Sequence, residues 1–331
     1  MRNLVYIFLS LFLLSACFKE EDPRAAFINY ETIALEDDYD RQIFYSLYDN
    51  SEVSNNSYTE WNLAFYSGTD LSYIRLNAAA NMWVIKPNSS NFNDSYGSVY
   101  NQDEKRFDGS FGRTNNLALD ITTPGFSADT LFTQGEVYLI HPGIDANGNE
   151  LGNYKKFVFE GIYLDSYLIR YANLDGSNEQ RRAIPKNENI NFVSFSFSKN
   201  SIVNIEPPKV QWDILFSRYT DTVYTIDGAE FLPGYAVTGA YLNENGVEAY
   251  LEESIVYEDF NASDIRLDLF SSKKNTIGHT WKQFSEQYFI LDDKSYIIKD
   301  RDGRYFKLRF LSFYDSITGN KGYPSFEFEL L

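Results

Sequence analysis

The chain has 331 residues, with 47 acidic against 29 basic side chains and a formal net charge of −18. That charge repels phosphate backbones and excludes nucleic acid as a partner. Hydrophobic residues at 44% are ample for packed cores, and the length allows two domains of roughly 100–200 residues each.

The N-terminus reads as an export leader. Arg2 supplies a positive start, and Leu4 to Leu14 is apolar apart from Ser10. A bilayer span needs about 20 apolar residues, so this run is a signal-peptide core and not a membrane helix. It ends in Leu14-Ser15-Ala16-Cys17, a lipobox: small residues permit cleavage after residue 16, and the Cys17 thiol can take a diacylglyceryl group. One acyl chain binds a membrane marginally and several anchor it stably. An ordinary secretory signal with a chance cysteine is the alternative. Residues 17–26 read as a tether. Its run Phe18-Lys19-Glu20-Glu21-Asp22 resembles the surface-export signal of Bacteroidetes lipoproteins, although acidic runs are commonly plain solvated linkers. The expected location is the outer membrane, lipid-anchored and facing the exterior. Cys17 is the single cysteine, so no disulfide staples the body and core burial must hold it.

Beyond the tether, strand signals dominate. The 26 Tyr and 27 Phe favour sheets. Glu136–Ile140, Lys156–Leu164, Asn191–Ser198, Tyr296–Lys299, Phe306–Phe313 and Ser325–Leu330 alternate or concentrate apolar residues in the manner of half-buried strands. Asn147-Gly148, Asn245-Gly246 and Asp302-Gly303 mark hairpin turns. A short helical turn is expected only around Ser177–Arg182. The class is all-β.

The halves resemble each other. Trp61-Asn62-Leu63-Ala64-Phe65 matches Trp212-Asp213-Ile214-Leu215-Phe216, and an aromatic strand precedes each, Ile43–Tyr48 and Phe192–Phe197. Tyr154-Lys155-Lys156-Phe157-Val158-Phe159 matches Tyr305-Phe306-Lys307-Leu308-Arg309-Phe310, and the two Trp-to-Tyr separations are equal. Two related β-rich repeats are expected, each built on antiparallel sheets, one over residues 27–187 and one over 188–331. Each tryptophan is expected inside a core strand. Asp213 and Arg218 could pair across a strand end, and Gly239, Gly303 and Gly322 fit turns that need positive φ.

The second half carries a family signature. Trp212-Asp213-Ile214-Leu215-Phe216-Ser217-Arg218-Tyr219 is followed by Val237-Thr238-Gly239 and by Ile277-Gly278-His279-Thr280-Trp281-Lys282. Then come Tyr296-Ile297-Ile298-Lys299-Asp300-Arg301-Asp302-Gly303-Arg304-Tyr305 and Gly322-Tyr323-Pro324-Ser325-Phe326. From Lys209 onward the chain resembles the HmuY family, haem-binding surface lipoproteins of Bacteroidetes. The resemblance implies a HmuY-like all-β fold, a binding protein that is not an enzyme, haem or a related porphyrin as ligand, and delivery to a TonB-dependent receptor. Members hold haem between two histidines, and relatives use two methionines.

Haem iron accepts His, Met, Cys or Tyr as axial ligands. The body offers His141, His279 and Met82, with tyrosines in reserve. His141 sits in Ile140-His141-Pro142-Gly143, at a strand end entering a turn. Met82 is equally a core gap-filler. No H-E-x-x-H, G-x-S-x-G or P-loop occurs. Asp145-Ala146-Asn147-Gly148-Asn149-Glu150 loosely resembles a calcium loop, but a hairpin turn accounts for it better. The alternative to a haem carrier is a structural or interaction lipoprotein that keeps the fold and binds a protein or glycan. A glycan hydrolase stands third, because paired carboxylates leave no sequence signature.

Overall fold

The computed structural model describes residues 28–97, 104–111, 117–124, 130–131, 135–224 and 230–331. Residues 1–16, the 17–26 tether and Cys17 lie outside them. Apart from short 3-10 turns, the described elements are strands, and every pairing is antiparallel.

Strands β1 (Asn29–Thr32), β2 (Arg41–Ser46) and β3 (Ser51–Ser57) come first, then β4 (Leu63–Tyr66), β5 (Leu71–Leu76), β6 (Trp83–Ile85), β7 (Thr122–Pro124) and β8 (Thr130–Leu131). The chain continues through β9 (Val137–His141), β10 (Lys155–Tyr163), β11 (Ser166–Asn173), β12 (Gln180–Pro185), β13 (Phe192–Ser196) and β14 (Ser201–Val203). It ends with β15 (Ile214–Tyr224), β16 (Glu230–Leu242), β17 (Glu248–Glu252), the hairpin β18 (Lys282–Ser285) and β19 (Gln287–Ile290), then β20 (Ser295–Lys299), β21 (Tyr305–Tyr314) and β22 (Lys321–Leu330). Ser177–Arg182, expected as a helical turn, is a tight turn leading into β12. Its short polar residues hydrogen-bond their own backbone, as Asp175 does with the Ser177 N–H at 2.9 Å, and so favour turns over helix.

These strands make two sandwiches. The inner one packs sheet β14-β13-β4-β5-β7 on sheet β12-β11-β10-β9-β6. Between them lie Leu63, Phe65, Ile74, Val193 and Phe195 from one side and Tyr138, Ile140, Phe157 and Tyr167 from the other. The outer sandwich packs β16-β15-β2-β3 on β1-β22-β21-β20-β17. Its core holds Ile43, Tyr45, Ile214 and Phe216 facing Ile298, Phe306, Leu308 and Phe326. Large rings at alternate positions supply this burial, at ~25 cal/mol per Å² of apolar surface.

The expected repeat boundary at residues 187–188 does not coincide with the edges of the sandwiches. In both halves a hairpin precedes the tryptophan, and each hairpin joins the other half's sheet. Strand β2 pairs with β15 (Tyr45 opposite Ile214), while β13 pairs with β4 (Val193 opposite Phe65). The inner sandwich is thus the continuous stretch from β4 to β14, and the outer one joins β1–β3 to β15–β22. An asparagine repeats the same bond in each half: Asn77 Nδ2 donates to the Trp61 carbonyl at 2.9 Å and Asn243 Nδ2 to the Trp212 carbonyl at 2.7 Å.

The two tryptophans precede their strands and sit where the chain crosses between sandwiches. They share a cluster with Phe44, Ile205 and Leu215, and Phe44 meets Trp212 edge-on at 4.9 Å. They fill the junction between two sheets and not, as their pattern predicts, the interior of one sandwich. This also explains β13, which reads as half-buried yet has Val193 through Ser196 all buried. Its second face is covered by the other sandwich, giving four layers. Asp213 and Arg218 do not pair: Asp213 accepts the Leu47 N–H at 2.8 Å and Arg218 donates to the Tyr58 hydroxyl at 2.8 Å. Gly303 and Gly322 take positive φ. Gly239 does not; a Cβ there would collide with the Gly278 carbonyl, so its role is close approach.

Candidate functional site

The three predicted ligands fall in different surroundings. Met82 is 1% exposed and belongs to the inner core with Ala79, Ala80 and Val84. Its sulfur is packing.

His141 ends β9. Register places it opposite Trp83, and cross-strand partners share a face. The rings stack at 3.6 Å and 8°, with Tyr154 edge-on at 4.7 Å. Lys105 Nζ lies 4.3 Å from the centre of the indole. Gly143, at φ 95°, turns the chain back so that its N–H donates to His141 Nδ1 at 3.1 Å; a Cβ there would strike the Ala80 carbonyl. Because Nδ1 accepts that hydrogen bond, the neutral ring carries its proton on Nε2. That nitrogen faces the Glu150 carboxylate at 3.6 Å. Burial, opposed by Glu150, pulls the pKa down to about 4. Neither nitrogen offers a lone pair outward. Glu150 closes the turn that begins at Asp145, whose carboxylate caps the Asn147 and Asn149 N–H groups at 2.9 and 2.8 Å.

His279 follows Gly278, whose backbone pairs with Ala240 at 3.0 Å in both directions. The bare Gly239 lets this loop lie on β16. His279 Nδ1 sits 3.2 Å from the Tyr219 hydroxyl and 3.6 Å from Asp221 Oδ2. The Tyr219 hydroxyl can either accept from or donate to Nδ1, and the negative charge of Asp221 weights the balance toward the tautomer protonated on Nδ1, with the lone pair on Nε2. At 3.6 Å the pair lies just beyond hydrogen-bond distance, close to the carboxylate–histidine arrangement that orients metal-ligating imidazoles. None of the described contacts of His279 uses Nε2. Burial and Lys282 lower its pKa against the pull of Asp221, keeping the ring neutral. Asp221 is itself held by Ser110 Oγ at 2.8 Å and the Thr222 N–H at 2.8 Å, and Asn275 Nδ2 donates to Ser110 at 3.0 Å. The side chain of His279 is 25% exposed. Tyr235 opposes Asp221 across the strand pair and so shares its face; it and Phe111 are 48% and 46% exposed.

Both histidines border one segment, residues 104–111. Lys105 covers the ring stack of His141, and Ser110 holds the acid of His279. At ~3.4 Å per residue these anchors are at most about 17 Å apart. Among the described residues no contact joins the two imidazoles, and no group of three or more His, Cys, Asp or Glu could hold a metal ion. Sequence reasoning misses Asp221 and Tyr219, although both lie in the strand that begins with the Trp212 motif.

In class, this is an all-β double sandwich with an oriented, partly exposed imidazole beside exposed aromatic rings. Residues 188–328 match the family model described as HmuY protein. Three solved structures are similar along most of their length. The apo HmuY analogue of Tannerella forsythia shares 12% identity over 94% of this chain and 98% of that chain, with a TM-score of 0.26. A HmuY-like haem-binding protein of Bacteroides vulgatus shares 10% over 91% and 90%, at 0.25. Apo PinO from Porphyromonas gingivitis shares 8% over 92% and 97%, at 0.24. Scores this low transfer no residue to this chain. No curated protein matches it. Among the described residues, no helix is long and apolar enough to cross a membrane.

Proposed function

We propose that this protein is a surface lipoprotein that binds haem or a related porphyrin through His279 and passes it to a TonB-dependent receptor. The reading rests on one observation: within the segment that matches the HmuY family, His279 turns Nδ1 toward Tyr219 and Asp221, at 3.2 and 3.6 Å, and none of its described contacts uses Nε2. Tyr235 and Phe111 offer apolar surface of the kind that lies against a porphyrin face. In this reading Cys17 carries the lipid, and the acidic tether holds the sandwiches clear of the outer membrane.

Hemin titration of the chain from residue 18 onward tests the proposal. A saturable shift of the Soret band is expected, and it should be lost or moved in His279→Ala while His141→Gln keeps it. A titration with no shift overturns the haem reading. For the anchor, labelled palmitate should enter the wild-type chain and not Cys17→Ala; equal labelling would contradict it.

The second reading, a lipoprotein that binds a protein or glycan, is favoured by the β18–β19 hairpin. Phe284 is 62% exposed and Phe289 42% exposed there, an unusual placement for such rings. Under that reading Phe284→Ser would abolish partner binding with hemin titration unchanged.

A further inference from the structure

The junction between the sandwiches holds a cleft of about 130 Å³, which the haem reading leaves unused. That volume approaches the ~150 Å³ of an engineered apolar cavity that takes up benzene. It is well below the roughly 300–1,000 Å³ of pockets for larger ligands. Phe44, Trp61, Phe192 and Trp212 give it aromatic walls.

The polar groups lining it are unusual in kind. Trp212 Nε1 and Tyr241 Oη are buried and meet no hydrogen-bond partner among the described residues, and each residue is only 7% exposed. Arg218, 6% exposed, donates to the Tyr58 hydroxyl and lies 4.9 Å from the centre of that ring. Among the described residues no carboxylate pairs with it. The Lys274 ammonium rests 4.4 Å from the centre of the Tyr241 ring, again with no described hydrogen bond. Native interiors rarely leave groups such as the Trp212 and Tyr241 donors unpaired, and Arg218 and Lys274 add two cations with no described carboxylate partner. Two acids also line the cleft, and each has a described partner. Glu244 binds Arg75 at 3.1 Å, while Glu206 accepts from the Asn191 backbone at 3.0 Å, its side chain at 2.7 Å and the Phe192 N–H at 2.9 Å. Burial lowers the Lys274 pKa to about 7 and raises that of Glu206 to about 7, so an anion entering the cleft would restore the lysine's charge.

We propose that this cleft binds a small aromatic carboxylate, its anionic head taken by Arg218 and Lys274 with the Trp212 and Tyr241 donors, and its ring lying against the aromatic walls. The cleft touches the haem site only through Tyr219, which lines it and meets His279; none of the groups proposed to hold the carboxylate is asked to bind haem, so either proposal can fail without the other.

Calorimetric titration of the chain from residue 18 onward with benzoate, and with neutral benzamide as the matched control, tests it. Benzoate should bind saturably at one site, and benzamide about tenfold or more weaker, the charge-assisted bonds being lost. Lys274→Met and Arg218→Gln should each weaken benzoate by about tenfold or more. Tyr241→Phe, which removes one unpartnered hydroxyl and leaves the packing intact, should weaken it a few-fold. Absence of saturable binding up to roughly 10 mM overturns the proposal. So does binding that benzamide matches, or that neither Lys274→Met nor Tyr241→Phe alters. If Arg218→Gln fails to fold, these two variants decide between the outcomes.

Discussion

His141 and His279 sit in different sandwiches, and their surroundings assign them opposite jobs. His141 is sealed by a stacked indole, receives a backbone N–H on Nδ1 and points Nε2 at Glu150. His279 lies at the edge of a sheet with Asp221 behind Nδ1. One ring is used as a flat, neutral filler that caps a strand; the other presents a nitrogen. What separates them is which ring nitrogen faces a donor and which a carboxylate, together with a difference in exposure. A histidine's chemistry is set by its neighbours, and here those neighbours come from strands distant in sequence.

The contrast between the sandwiches can be broken most severely by cutting the chain. A fragment of residues 188–331 has the Trp212 strand but lacks β1–β3, and its β13–β14 hairpin has lost the sheet it belongs to. It should fail to fold, read as absent cooperative urea unfolding by circular dichroism; a stable cooperative fragment would refute the crossed-hairpin architecture. Next in size, His141→Ala leaves a void against Trp83 and Tyr154. It should cost about 3–5 kcal/mol in urea unfolding, the range for losing a buried ring, whereas His279→Ala should cost under about 1 kcal/mol.

Acid separates the two histidines further. His141 has a folded pKa of about 4, below its ordinary 6.5. Between those values the unfolded chain takes the proton and the folded chain does not. Its contribution is therefore complete above pH 6.5 and drains away as pH falls toward 4. Asp213 and Glu206 oppose this, since burial raises them to about 6 and about 7 and their contribution is lost as pH rises through those values. The His141 share is isolated by comparing wild type with His141→Phe, which should lose less stability on acidification. Equal losses would place the imidazole in water. The smallest change in stability is expected for Asp221→Asn, within about 1 kcal/mol. It should nonetheless weaken hemin binding by roughly 10–100-fold, the usual cost of removing the group that orients a metal-bound histidine.

Much of the fold was legible in the residues. Period-two runs such as Val193-Ser194-Phe195-Ser196 announce strands because alternate side chains must face opposite sides of a sheet. Equally spaced Trp and Tyr motifs point to strands in matching places of the two halves, β4 with β15 and β10 with β21. The exchange of hairpins was not legible. Strand β2 presents Ile43 and Tyr45 on one face, and that pattern fits the sheet of either tryptophan strand; a face pattern sets register without naming the partner. The site was legible only as an inventory of residues. His141 looked open at a strand end because nothing in Ile140-His141-Pro142-Gly143 reveals that Trp83 will stack on it. Asp221, which distinguishes His279, lies far along the chain and reads as an ordinary strand acid.

The central claim is that His279 offers Nε2 while His141 does not, and the chain has only two histidines. Long-range proton–nitrogen correlation of the ¹⁵N-histidine-labelled protein near pH 7.5 reads both tautomers directly. The account predicts opposite patterns: His141 protonated on Nε2 and His279 protonated on Nδ1. A spectrum in which both rings carry the proton on Nε2 would contradict it.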